Sequence, residues 1–150
     1  MKISTKGRYG LEAVLDLAIH SSEGHINLRS ISERCGLSDA YILQLFLVLR
    51  RVGIVDSVRG AQGGYILARP PKDITVGEVL TILEGPLSPV DCIINPDNAD
   101  CEMMETCSTK WVWKKMTNEI SGLVNSITLE DLMKSYDFLV RNEGRPEYYI

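Results

Sequence analysis

The chain has 150 residues, 45% of them hydrophobic and 24% charged, with four cysteines and a formal net charge of −4. That apolar content excludes a disordered chain and suits one globular domain, or a small head with an appendage. The opening MKISTKGRYG has no apolar signal-peptide core, and no run approaches the roughly eighteen apolar residues of a membrane span, so a cytoplasmic protein with reduced thiols is expected.

Charge divides the chain in two. Residues 1–72 carry ten Lys and Arg against six Asp and Glu, whereas residues 73–150 carry six against fourteen. A basic first segment predicts a polyanion partner, and an acidic second segment confines that partner to one surface.

In chain order, Leu11, Val14, Leu15, Ala18 and Ile19 recur at helical spacing and predict an amphipathic first helix that stops before SSEGH. The stretch LRSISERCG then sets Leu28, Ile31 and Cys35 on one side of a short helix that ends at Gly36, a residue that tolerates positive φ. Cys35 is expected in the packed face rather than as a ligand. After the turn GLS, Ser38 caps a helix through DAYILQLFLVLRR, with Ile42, Leu45, Phe46 and Leu49 as its buried stripe. Two helices at this spacing form a helix-turn-helix.

The next stretch has β-rich runs at 54–58 and 65–68 flanking the turn RGAQGG, which reads as a hairpin wing. A wing directly after a helix-turn-helix places Arg59 to reach a minor groove while the preceding helix lies in the major groove. TVGE at 75–78 is a capping box for a short helix through Leu83, broken by EGPLSP. Trp113, Met116, Ile120, Leu123, Val124 and Ile127 then describe a long helix whose broad apolar stripe calls for a partner, expected to be the same helix of a second subunit. TLED at 128–131 is a further capping box that starts a final helix. The expected fold is mainly α: a winged helix-turn-helix with a small β-hairpin wing over 1–72, then a cysteine loop and dimerisation helices over 73–150.

Between the short helix and the long one, Cys92, Cys101 and Cys107 have the spacing C-x8-C-x5-C in a polar stretch with no helical or strand period. Reduced thiols clustered in a loop more often bind metal or sense redox state than fill a core. Zinc suits three thiolates plus an oxygen or nitrogen, an iron–sulfur cluster suits thiolates with one other donor, and a bare thiol switch needs no metal. No Ser/His/Asp or Cys/His arrangement suggests an enzyme, and His20 and His25 read as surface or helix-end residues.

Together MKISTKGRYGLEAVLDLA, ISERCGLSDAYILQLF, VRGAQGGYILAR, TVGEVL and ITLEDL resemble the Rrf-two-type family of bacterial winged-helix regulators over nearly the whole chain. The resemblance implies a repressor acting as a homodimer on double-stranded DNA, at a partly palindromic operator, with no enzymatic activity. The cysteine triad resembles the branch that senses an iron–sulfur cluster, of 2Fe–2S type, and controls cluster biogenesis. That branch usually has a shorter first gap and a histidine three positions after the last cysteine. Lys110 stands there in this chain and offers no lone pair, so the fourth ligand stays open among Asp100, Glu102, Glu105 and Glu12. A second branch, of cysteine-metabolism repressors governed by a partner enzyme or thiol switch, shares the opening MKISTKGRYGL and LEGPLSPV but lacks the triad.

Carried onto this chain, the resemblance implies base reading by Gln44, which can pair with adenine, and minor-groove insertion by Arg59. Ala40 and Leu43 replace the family's usual polar residue and glutamate, and can only touch a thymine methyl. Lys6, Arg8, Tyr9, Ser38, Tyr41, Arg50 and Arg51 are expected on the DNA backbone, where they position the protein without reading sequence.

Overall fold

A computed structural model describes residues 1–98, 101–103 and 105–142, which hold six α-helices and one two-stranded antiparallel sheet. Helix α1 (Thr5–Ile19) begins well before the apolar pattern of Leu11 to Ile19. Its first turns instead bury Gly7 and Gly10, where a β-carbon would overlap Glu84 and Leu83 of a later helix. Close helix approach, rather than a large apolar side chain, accounts for these turns.

Helix α2 (Leu28–Cys35) is capped by Asn27, whose side chain accepts from the Ser30 N–H at 2.7 Å, and it ends at Gly36 with φ 66° and ψ 32°. That left-handed geometry is cheap only for glycine. Helix α3 (Asp39–Arg51) follows, and Ser38 accepts from the Tyr41 N–H at 3.2 Å. Ile42, Leu45, Phe46 and Leu49 are all buried, as the spacing predicts.

Strands β1 (Val55–Val58) and β2 (Gly64–Leu67) pair with Val55 opposite Leu67 and Val58 opposite Gly64. Ile26 adds a bridge to the outer side of β2, exchanging backbone hydrogen bonds of 2.8 and 2.9 Å with Tyr65. The wing is thereby tied to the segment that leads into α2.

Helix α4 (Val76–Glu84) starts at Thr75, whose hydroxyl accepts from the Glu78 N–H at 3.1 Å. Helices α5 (Lys110–Ser126) and α6 (Leu129–Asn142) meet at a corner pinned to the start of α4. Val76 N–H donates to the Ile127 carbonyl at 2.8 Å, and Leu129 N–H to the Ile74 carbonyl at 2.9 Å. Thr128 and Asp131 form the expected reciprocal box, with Thr128 N–H on the Asp131 carboxylate and Asp131 N–H on the Thr128 hydroxyl.

One apolar core runs from the helix-turn-helix into the second segment. Val14, Leu17, Ile31, Ile42, Phe46 and Leu49 pack with Ile74, Val79, Leu83 and Leu129. A smaller cluster of Val76, Leu80 and Leu87 receives Ile120 and Val124 from α5 and Ile127 from the corner just after it. The α5 stripe is thus shared: its Ile120–Val124–Ile127 edge covers the chain's own core, whereas Met116 and Leu123 are exposed, with Trp111 and Val112 beside them. The chain therefore buries the inner edge of the stripe against α4 by itself, and only the outer edge is left open for the second subunit that the sequence leads one to expect. Among the described residues no helix is long and apolar enough to cross a membrane.

Candidate functional site

The buried stripe of α3 leaves Ala40, Leu43, Gln44 and Leu47 exposed on the opposite face, at spacings of three and four. Gln44 is therefore presented outward between two leucines. Leu47 was not singled out from the sequence, although its place three residues beyond Gln44 and outside the buried stripe was a readable signal. At the far end of α3, Arg51 is exposed and Arg50 lies 3.5 Å from the Asp56 carboxylate of β1. Arg50 and Arg59 both line an open groove of about 490 Å³ at the base of the wing, together with Leu28, Ser57 and Tyr65. The structure therefore groups these two predicted cations and leaves Arg59 exposed near the positive-φ Gly60.

At the near end, Lys6 and Arg8 project from the first turns of α1. The Arg8 guanidinium lies 5.7 Å over the Tyr9 ring, and Tyr9 meets Tyr41 of α3 edge-on at 6.3 Å. These contacts tie Arg8 and Tyr9, two of the predicted backbone contacts, to a third, Tyr41 on α3. The Ser38 hydroxyl accepts from α3 and keeps its own proton to donate, at the electropositive end of the helix.

Ser32, on α2, was not identified from sequence. It is the buried polar residue of the helix pair, its hydroxyl lying 2.9 Å from the Arg29 carbonyl and against the Asp39 carboxylate at the start of α3. This contact ties α2 to the start of α3; the readable signal was a serine beside Ile31 on the apolar side. Arg69 braces the wing from behind, donating to the Gly53 carbonyl at 3.3 Å and the Asp73 carbonyl at 3.1 Å while pairing with Glu78 of α4. The two histidines are surface struts: His20 Nδ1 lies 2.9 Å from the Asp16 carbonyl, and His25 Nε2 contacts the Gln62 carbonyl.

Cys35 packs half-buried against the main core, as expected, and burial, helped by Asp16 and Glu12, pushes its thiol up to about 11. It is a poor thiolate at neutral pH. Cys92 is half-buried on a short turn, Asp91–Ile93, that packs on α5, and the preceding segment is fastened there by a 2.8 Å hydrogen bond between the Ser88 and Thr117 hydroxyls. Cys101 is exposed. Cys107 is half-buried, its Sγ 3.3 Å from the Thr109 hydroxyl; that hydrogen bond first, then the backbone N–H groups of Thr109 and Lys110 and the Lys110 charge, holds its thiol below the ordinary value.

Three thiols, one of them held toward the thiolate, make a donor set that fits a thiophilic metal group. Among the described residues, however, no three His, Cys, Asp or Glu side chains converge at ligating distance. Glu102 and Glu105 are exposed, Asp100 lies outside the described residues, and Glu12 lines a groove with Asp16, Arg34, Cys35 and Tyr136. No fourth ligand is singled out by this arrangement.

A family model described as Rrf2, iron-dependent transcriptional regulator, matches residues 3–135. The HTH-type transcriptional regulator IscR of Serratia proteamaculans (strain 568) is 41% identical over 140 residues, covering 93% of this chain and 84% of its own. The solved structure of T. potens IscR superposes with a TM-score of 0.72 at 48% identity, over 91% of this chain and 88% of that one. CymR (YrzC), the global cysteine regulator of B. subtilis, superposes at 0.76 and 40% identity, over 90% and 98%.

Proposed function

Because the chain belongs to the Rrf2 family of transcriptional regulators, we propose that it works as a homodimeric repressor whose grip on a partly palindromic operator follows an iron–sulfur cluster held by Cys92, Cys101 and Cys107. The observation that carries the DNA-reading part is the outward face of α3, where Gln44 stands exposed with Leu43 and Leu47, while Arg59 of the wing and Lys6 and Arg8 of α1 are exposed as well. Gln44 has the donor and acceptor to pair bidentately with adenine, the leucines offer only apolar contact to thymine methyls, and Arg59 suits a narrow minor groove. Lys6, Arg8, Tyr9, Ser38, Tyr41, Arg50 and Arg51 hold the duplex backbone.

The three thiolates would hold the cluster, which when bound supplies an occupancy that responds to iron supply and oxidants. The likeness to IscR supports that ligand, and the Thr109 hydrogen bond that holds the Cys107 thiol below its ordinary value favours the thiolate form that binds metal. The Ser88–Thr117 hydrogen bond ties the Cys92 segment to α5. We assign the exposed edge of α5 to the dimer, so a rearrangement of that segment alters how the two recognition helices are set, and with it the affinity for each operator. Comparable likeness to CymR supports a second reading, a regulator of cysteine metabolism with no cluster.

Anaerobic purification separates the two. The first reading expects visible absorption with stoichiometric iron and sulfide, lost in a Cys92→Ala, Cys101→Ala, Cys107→Ala variant that stays a folded dimer but changes its DNA preference. A colourless wild-type protein after reconstitution, or a triple variant with unchanged iron and DNA binding, replaces it with the second.

A further inference from the structure

Glu84, the last residue of α4, directs its carboxylate into the first turn of α1. Its Oε1 accepts from the Gly7 N–H at 2.8 Å and from the Ser4 hydroxyl. Ser4 is itself the α1 cap, but its own contact to the Gly7 N–H is long, at 3.4 Å. The carboxylate is therefore the nearer acceptor for the Gly7 N–H, one of the N–H groups that the helix leaves unpaired at its start, and its charge faces the positive pole of the α1 dipole.

The packing is built around this contact. A β-carbon at Gly7 would overlap Glu84 Oε1, and one at Gly10 would overlap Leu83 Cδ1, so two glycines three residues apart clear the path for α4. The Ser4 hydrogen bond and, less strongly, the Gly7 N–H hold the Glu84 carboxyl below its ordinary range. The same turns of α1 carry Lys6, Arg8 and Tyr9, and Tyr9 leans on Tyr41 of the recognition helix.

We propose that Glu84 is a positioning residue for DNA binding: by clamping the first turn of α1 it holds Lys6 and Arg8 at a fixed place beside α3, where both meet the duplex backbone together. This rests on the assignment of Lys6 and Arg8 as phosphate contacts. Helix ends fray when their N–H groups lack partners, and a frayed turn leaves both cations on mobile backbone. Glu84 acts through them and touches no DNA itself.

The test is the salt dependence of binding to a fluorescein-labelled duplex of mixed sequence, read by anisotropy across a salt series, with dimer content and circular dichroism measured alongside. Each phosphate contact contributes about 0.9 to the slope of log affinity against log salt. Glu84→Ala is expected to lower that slope by about 1 to 2, and Glu84→Gln, which keeps an acceptor oxygen, to restore most of it. Gly7→Ala is expected to match Glu84→Ala even though alanine is the better helix former. A Lys6→Ala/Arg8→Ala protein should lose the same slope, and adding Glu84→Ala to it should lose no more. A wild-type slope in both Glu84→Ala and Gly7→Ala, or full additivity with Lys6→Ala/Arg8→Ala, overturns the proposal while leaving the phosphate contacts standing. An unchanged slope in Lys6→Ala/Arg8→Ala removes the contacts, and the positioning role with them.

Discussion

Leu123→Glu on α5 separates the two faces of that helix. Leu123 is 63% exposed in the chain, whereas Ile120 packs against the cluster of Val76, Leu80 and Leu87. Full burial of a leucine is worth about 1.5–3 kcal/mol, so covering the exposed part of Leu123 in a dimer contributes about 1–2 kcal/mol from each subunit. A two-fold interface contains the residue twice, which raises the loss in Leu123→Glu to about 2–4 kcal/mol before the cost of burying two like charges. That is roughly a 30- to 900-fold weaker dimer. Sedimentation equilibrium should show monomer at concentrations where the wild-type protein is dimeric, with the helical circular dichroism signal retained, because the glutamate is solvated in the monomer. Ile120→Glu should instead lower thermal stability as well, since it puts a charge against the chain's own apolar cluster. A Leu123→Glu protein with wild-type dimerisation, or one that unfolds as Ile120→Glu does, would refute this division of α5 into an inner and an outer edge.

Arg59→Ala is expected to weaken binding to a duplex selected from a random pool by the wild-type protein by about 1–3 kcal/mol, the scale of a good base contact, with little effect on thermal unfolding because the side chain is exposed. Leu129→Ala, although far along the chain from the helix-turn-helix, should cost about 2–5 kcal/mol in chemical denaturation because Leu129 is fully buried in the same core. Glu84 sets a pH dependence: its folded pKa is depressed, so its contribution is fully present above the unfolded value and is lost as pH falls through the folded one. The stability difference between wild type and Glu84→Gln should therefore be present at neutral pH and shrink in acid below the usual carboxylate range; a difference that is constant with pH would show that the carboxylate charge is not involved.

The Rrf2 family assignment and the order of elements were legible in the sequence because their signals are local. Ser38 and Thr75 cap helices through hydrogen bonds to the third residue onward, Gly36 alone among its neighbours takes the left-handed turn, and the stripe of Ile42, Leu45, Phe46 and Leu49 needs only the period of its own helix. The candidate DNA contacts came from the family resemblance, and the α3 stripe accounts only for the exposure of Ala40, Leu43 and Gln44 on the opposite face. Tertiary packing decided which edge of α5 the chain keeps for itself, because that depends on where α4 lies and not on the α5 pattern. It also decided that Glu84 reaches Gly7 across 77 positions, and that Tyr9 meets Tyr41. A capping interaction between neighbours is written in a few residues, whereas a carboxylate borrowed by one helix from another exists only once the glycines between them have let the two backbones close.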